Sequence, residues 1–295
     1  MQKKSVRNLV VVLGDQLNRD SSAFDDFDKR EDAVWMAEVA EESTHVWSHK
    51  QRIAIFLAGM RHFRNELEKD GVSVFYRELP VRGEGDGLGS CLEEFCRSLR
   101  PKKIIWVLPG DLRVSAILEK ACSRQKIPFE VRSDRTFFST PEDFASFARG
   151  KKQVRLEFFY REMRKKHEIL MKNGQPEGGA WNLDHDNRES FGKKAPGIPE
   201  ALRFRPDEET KNVLSLVEER FASHPGSLSD FAWPVNRAQA LKALKHFLAH
   251  HLPDFGKYQD AMWSGEPFLF HSLLAPRSEE HTSELQSLAY LVCRL

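Results

Sequence analysis

An α/β fold, with an N-terminal open parallel sheet carrying helices on both faces and then an incomplete all-α domain, is what this 295-residue sequence predicts. Three observations carry that prediction. Short apolar runs rich in β-branched residues recur at 8–13, 33–39, 72–79, 103–108 and 128–133, with helical patterns between them, the alternation of βαβ units. Acidic residues follow closely where three of those runs end. From Pro141 onward strand patterns cease and helical periodicity takes over.

The first run, Leu9-Val10-Val11-Val12-Leu13, reads as a strand buried on both faces, and Gly14 lets the chain turn sharply after it. Ligands of open parallel sheets collect outside the carboxyl ends of the strands, so Asp15 and Gln16 are placed to meet one. The plain alternative is that Asp15 caps a following helix. Residues 50–69 carry Ile53, Leu57, Met60, Phe63 and Leu67 at helical spacing, a crossover helix whose aromatic face belongs to the core. The glycine-rich stretch from Arg82 to Gly89 lacks both the dinucleotide fingerprint and the lysine of a phosphate loop, and reads as a flexible connection. Strand 103–108 runs into Pro109-Gly110-Asp111-Leu112-Arg113, and strand 128–133 into Asp134-Arg135; charges there also serve ordinary loop solvation. Gly174 to Pro199, rich in Gly, Pro, Asn and Asp, reads as a linker. Helices are expected at 207–222 and 237–250, and a third near Asp254. The divisions are therefore 1–140, an α/β domain; 141–206, a helical segment and linker; and 207–276, the start of a helical domain.

Residues Arg277 to Leu295 back-translate to a common sequencing-library adapter and are set aside as a non-native tail. Outside them stand 43 basic and 41 acidic residues, a balance that singles out no partner class. No apolar run approaches the ~18 residues of a membrane helix, and Met1-Gln2-Lys3-Lys4 leads into a strand rather than a signal peptide, so a soluble cytoplasmic protein is expected. Cys91, Cys96 and Cys122 are too few for a disulfide framework and lack a surrounding histidine-cysteine cluster; they read as small buried hydrophobes. Arg161, Arg164, Lys165, Lys166 and His167 adjoin Phe158, Phe159 and Tyr160, a mixture suited to nucleic acid and equally to a helix with one solvated and one core face.

Several stretches occur in a telling order: Leu13-Gly14-Asp15-Gln16-Leu17, Ser48-His49-Lys50, Met60-Arg61-His62-Phe63, Arg132-Ser133-Asp134-Arg135, Glu157 to Arg164, Gly178-Gly179-Ala180-Trp181-Asn182 with Asp186-Asn187-Arg188, and His271-Ser272-Leu273-Leu274. Over residues 7–276 the chain resembles the bacterial photolyase-related proteins with an iron–sulfur cluster, which include prokaryotic (6-4) photolyases and related cryptochromes. The resemblance implies an antenna-binding α/β domain, a long linker and a helical domain holding flavin adenine dinucleotide (FAD).

It also implies site residues. Asp15, Gln16 and Glu42 match contacts to a 6,7-dimethyl-8-ribityllumazine antenna, whose ribityl chain and pyrimidine-like edge need hydrogen-bond partners. Relatives carry an aromatic residue shortly after the Glu42 position, where this chain has His45. Tyr258, His271, Ser272, Leu273 and Leu274 match the start of the FAD site, with Ser272 at a helix N-terminus suited to pyrophosphate or serving as an ordinary cap. Trp181, Asn182 and Arg188 match a segment near damaged DNA. The family's catalytic residues and the four thiolates of its [4Fe-4S] cluster fall beyond Pro276, so no catalytic or metal residue is named here. The implied activity is light-driven repair of pyrimidine dimer lesions by electron transfer from reduced FAD, in a protein that is monomeric at full length. The truncated chain is expected to be inactive. A blue-light photoreceptor of the cryptochrome kind shares every one of these residues, and a nucleotide-binding α/β module of other purpose is the third reading.

Overall fold

The computed structural model describes residues 6–81, 87–182, 188–194 and 197–274, which form two compact units. The first comprises the chain to Asp134 together with Arg203–Ala240. Its centre is a five-stranded sheet of β1 (Asn8–Val11), β2 (Ala33–Ala37), β3 (Val74–Arg77), β4 (Lys103–Val107) and β5 (Phe129–Arg132), in the order β3-β2-β1-β4-β5 with every pairing parallel. The predicted fold class is thus present, and each predicted strand is found, trimmed by one or two residues at one or both ends.

Alternation along the strands explains why β1, β2 and β4 read as unbroken apolar runs. Val10, Val34, Met36 and Ile105 face one layer, with Ile53, Leu57 and Phe63 of α2 (Lys50–Lys69). Leu9, Val11, Trp35, Ile104 and Trp106 face the other, with Leu92 and Cys96 of α3 (Leu88–Leu99) and Leu118 and Cys122 of α4 (Leu112–Gln125). A strand covered on both faces has no polar side to display. Gly14 is needed where β1 leaves the sheet, because a Cβ there would stand 3.0 Å from Met60 Sδ.

Residues 203–240 pack with this sheet unit, not with the helices that follow, so the second compact unit does not begin at 207. The reason lies in α7 (Glu208–Arg220), whose Val213, Leu216 and Val217 are buried in the same core layer as α2. Arg61 and Arg64 of α2 pair with Glu209 at 3.5 and 3.3 Å, and His62 Nε2 lies 3.2 Å from Thr210 Oγ1. Lys50, itself buried, pairs with Glu218 at 2.8 Å.

The second unit comprises Arg135–Leu202 and the described chain from Leu241. It holds α5 (Pro141–Ala148), started by a Thr140/Asp143 capping box, and α6 (Leu156–His167). A short antiparallel hairpin of β6 (Met171–Lys172) and β7 (Gln175–Pro176) runs across the start of the stretch read as linker. The later part of α8 (Arg237–His250) and α9 (Leu252–Tyr258) bring Phe247 and Phe255 together with Phe270. Among the described residues no helix is long and apolar enough to cross a membrane.

Candidate functional site

The strand order places the topological switch between β1 and β4, since successive strands run outward from β1 on one side and from β4 on the other. The crevice beyond the carboxyl ends of that pair is where ligands of such sheets bind. No α-helix follows β1: the chain turns through residues 12–21 and enters only a short 3-10 helix, Ser22–Phe24, capped by Ser21. Asp15 is therefore exposed on a turn at the switch point and is not a helix cap. Gln16 is half-buried, and its Nε2 donates to the carbonyls of Val107 and Leu108 at 3.3 and 3.2 Å, tying the end of β1 to the end of β4. With both amide hydrogens committed to backbone, Oε1 remains as its acceptor.

Glu42 lies on α1 (Ala40–Thr44), the helical turn that follows β2. Its carboxylate takes a bidentate pair of hydrogen bonds from Arg113, both 2.9 Å, and Arg113 also donates to Asp111 at 3.1 Å. Asp111 has a structural task besides, as the cap of α4 accepting from Arg113 N at 2.7 Å. The Arg113 guanidinium is held charged by Glu42, and its Nε is buried with no hydrogen-bond partner. Two polar links therefore tie together the strand ends around the switch: Gln16 from β1 to β4, and Arg113 from α4 to α1. The sequence reading noticed Arg113 as a charge at a strand end but missed that it clamps Glu42. The bidentate carboxylate geometry that Arg favours is not visible from positions 71 residues apart.

Residues that matched the FAD site occupy the second unit. Tyr258 is stacked on Phe191 with ring centroids 4.5 Å apart and on Phe270 at 5.8 Å. His271 meets Phe255 edge-on at 5.5 Å, and burial lowers its pKa. Ser272 corrects an expectation: residues 271–274 are not helical, Leu273 has a φ of 56°, and Ser272 Oγ accepts from Leu274 N at 3.3 Å in a local turn. The described residues supply aromatic faces and hydroxyls, but the helix N-terminus expected at Ser272 is not among them.

Trp181 lies in the same unit, beside three cations: Arg164 and Lys165 at 5.3 Å from its ring and Arg161 at 5.5 Å. Asn182 and Arg188 are exposed, while Asp186 and Asn187 lie outside the described residues. The helix of the basic stretch divides as its pattern allowed. Phe159 is buried against Phe147 and Phe144, and Arg164 is buried, donating to the carbonyl of Ile169 at 3.2 Å and to that of Leu170.

Other matching stretches have internal roles. Arg61 donates to Glu38 Oε1 and Oε2 at 2.7 and 3.1 Å, and the fully buried Glu38 also accepts from Tyr76 Oη at 2.7 Å and Leu79 N at 2.9 Å. His49 caps α2 by accepting from Gln51 N at 3.1 Å. Arg132 donates to the carbonyls of Ser22 and Asp25, and Ser22 Oγ to that of Ser133. Cys91, Cys96 and Cys122 are buried, and burial pushes the Cys96 thiol up to about 11 and the Cys122 thiol up to about 12. Among the described residues no group of three or more His, Cys, Asp or Glu is arranged to hold a metal.

Comparison with known proteins decides the family. The model of the deoxyribodipyrimidine photo-lyase-related proteins matches residues 10–233. The chain belongs to that family. It is 38% identical over 275 residues to a (6-4) photolyase of Agrobacterium fabrum, covering 90% of this chain and 52% of that protein. In fold it is similar to a bacterial class III photolyase from Agrobacterium tumefaciens, with a TM-score of 0.50 and 15% identity, covering 94% of this chain and 50% of that one. This photolyase-related chain thus spans about half the length of the relatives it matches. The matched span 10–233 includes the switch-point residues and the α7 docking segment in one stretch.

Proposed function

We propose that the full-length protein carrying these residues is a light-driven DNA lyase that splits pyrimidine dimer lesions. The observation that carries this reading is the 38% identity to a (6-4) photolyase across nearly the whole chain. FAD, when bound, supplies the electron that opens the lesion, and the rest of the protein holds lesion and pigments in place. A lesion base is turned out of the stack to reach the flavin.

The switch-point residues fit an antenna of ribityllumazine type. Gln16 Oε1 is an acceptor for a ring N–H, its amide held by two backbone carbonyls. Asp15 is an exposed carboxylate beside it, suited to ribityl hydroxyls. Glu42 and Arg113 offer a neutralised pair, and the buried Arg113 Nε lacks a partner that a ligand oxygen would supply. For flavin, Tyr258 and His271 to Leu274 are the residues proposed to touch it, Tyr258 through its ring and hydroxyl. Trp181, Asn182 and Arg188 are proposed to lie by the damaged DNA.

We infer that these 295 residues alone repair nothing and retain no flavin, because a pocket normally buries ~70–90% of its ligand and these residues span about half the length of the relatives they match. The sheet unit, by contrast, has both faces covered and is expected to take up lumazine. The test is lesion repair under blue light by the complete gene product, alongside pigment analysis of the present chain. Repair that needs light supports the lyase; pigment binding with no repair of any dimer lesion overturns it in favour of a photoreceptor.

A further inference from the structure

Three histidines crowd the junction of α8 and α9. His246 and His250 stand four residues apart on α8, the spacing that puts two side chains on one face of a helix, and their ring centroids are 4.7 Å apart. Solvent reaches both, His246 being half-buried and His250 exposed. His251 differs: it is 4% exposed, set against Phe247 and Phe270, with its ring centroid 5.4 Å from that of His246. Backbone carbonyls of Leu269 and Glu200 accept from this ring, yet its Nδ1 is buried without a hydrogen-bond partner. Burial first, and then the neighbouring His246, lower its pKa and keep it neutral. A neutral imidazole that donates through one nitrogen presents the other as an acceptor. An orphaned acceptor at this depth calls for a donor.

We propose that His246 and His250 form a two-ligand site for a late first-row divalent cation of the zinc type, with His251 positioning a water bound to that metal. The site does not depend on the lyase reading. Imidazole pairs select Zn²⁺, Cu²⁺ or Ni²⁺ over Mg²⁺ and Ca²⁺, which take oxygen ligands. No third His, Cys, Asp or Glu among the described residues converges with the pair, so water fills the remaining positions, and its O–H is the donor that His251 Nδ1 lacks. The pair also closes the last turn of α8, where the helix dipole favours a cation. Lys242 and Lys245, which precede the pair on this helix, are exposed, and solvent screens their charge. A merely solvated surface pair would account for His246 and His250 but leave the orphan of His251 unexplained.

The test titrates Zn²⁺ into the 295-residue chain by isothermal calorimetry, beside His250→Gln, His246→Gln/His250→Gln and His251→Phe, each checked for native circular dichroism. His251→Phe keeps a buried ring and removes the acceptor. The parent should bind one Zn²⁺, His250→Gln should weaken it about tenfold or more, the double variant should abolish it, and His251→Phe should weaken it by about 10–100-fold as loss of an outer-shell partner does. Cu²⁺ added to the parent should show nitrogen hyperfine coupling by electron paramagnetic resonance, lost in the double variant. Equal Zn²⁺ affinity in parent and double variant, no binding by the parent, or nitrogen coupling that survives the double variant overturns the site and leaves the lyase reading to its own repair assay. Unchanged affinity in a folded His251→Phe overturns the part given to His251.

Discussion

Gly226→Ala is a small change with a large expected effect. Gly226 has a φ of +91°, and a Cβ built on it would stand 1.8 Å from Nε2 and 2.1 Å from Cε1 of His49. Neighbouring Pro225 accepts from Lys50 N at 2.9 Å, and His224 Nδ1 lies 2.9 Å from the carbonyl of Ser48, so this loop is pinned to the start of α2. The alanine must either move the loop or expel the imidazole, which forfeits the α2 cap. A non-glycine residue at this φ costs about 1–2 kcal/mol, and losing an N-cap costs about 1 kcal/mol. The sum, about 2–3 kcal/mol, corresponds to a fall in Tm of roughly 4–12 °C for a domain of this size. His49→Ala alone should cost about 1 kcal/mol. The double variant should cost about 1 kcal/mol less than the sum of the singles, because the clash and the cap are lost only once. Thermal unfolding of the four proteins by circular dichroism reads out the cycle. A Gly226→Ala protein within about 0.5 kcal/mol of the parent, or strict additivity, refutes the docking of 203–240 on α2 through this contact.

Three further outcomes are expected. Asp15→Ala should release ribityllumazine, seen as lost antenna absorbance after gel filtration, while leaving Tm nearly unchanged, since Asp15 is exposed on a turn; unchanged absorbance in Asp15→Ala, in Glu42→Ala and in their combination removes both residues from the antenna site. Hydrogen bonds from Arg132 and then Lys103 hold the Glu130 carboxyl down at about 2, so its contribution is fully present above the ordinary carboxylate range near 4.5 and fades as pH falls from there toward 2; Glu130→Gln should flatten the Tm-against-pH curve across that window, and a curve of unaltered slope counts against the pairing. Cys96 and Cys122 should resist a thiol reagent at pH 8 in the native protein and react promptly in denaturant, because burial raises both thiols well above that pH; prompt labelling of either in the native chain contradicts the packed core around them.

The sheet was legible because its chemistry is local. Leu9 to Val12, Val34 to Met36 and Ile104 to Val107 are apolar on both faces for a reason the structure shows, two helical layers, and that reason leaves its mark within each strand. Helix α2 was legible to the residue, since its apolar positions recur at helical spacing and Asp70 ends it. The hairpin Met171–Pro176 was not, because its strands are two residues each and Gly174 and Pro176 signal a linker equally well. The placement of 203–240 was hidden for a different reason. α7 carries an ordinary amphipathic pattern that states it must pack on something, and the partner is chosen by Arg61, His62 and Lys50, some 150 residues earlier.

That placement changes how the shared stretches are read. Ser48-His49-Lys50 and Met60-Arg61-His62-Phe63 carried the family resemblance, and in the structure His49 seats Gly226, Lys50 pairs with Glu218, His62 meets Thr210, and Arg61 serves Glu38 and Glu209. Breaking a buried, hydrogen-bonded ion pair by removing one partner costs ~3–5 kcal/mol, so Glu38 and Arg61 are held to each other on stability grounds alone. Arg132 is explained likewise by the carbonyls of Ser22 and Asp25 that it gathers. By contrast, Gln16 reaches across the switch point with an acceptor left over. A polar residue needed to hold the fold is recognisable by its protein partners, and one needed for a ligand by the capacity it retains once those partners are counted. On that criterion Gln16 Oε1 and Arg113 Nε, not the histidines of the shared stretches, are where a bound pigment should be felt first. Isotope-edited spectra of the lumazine-loaded chain, with Gln16→Glu and Arg113→Lys as the perturbing pair, would show shifts in the pigment for both if this is right, and for neither if the pigment sits elsewhere.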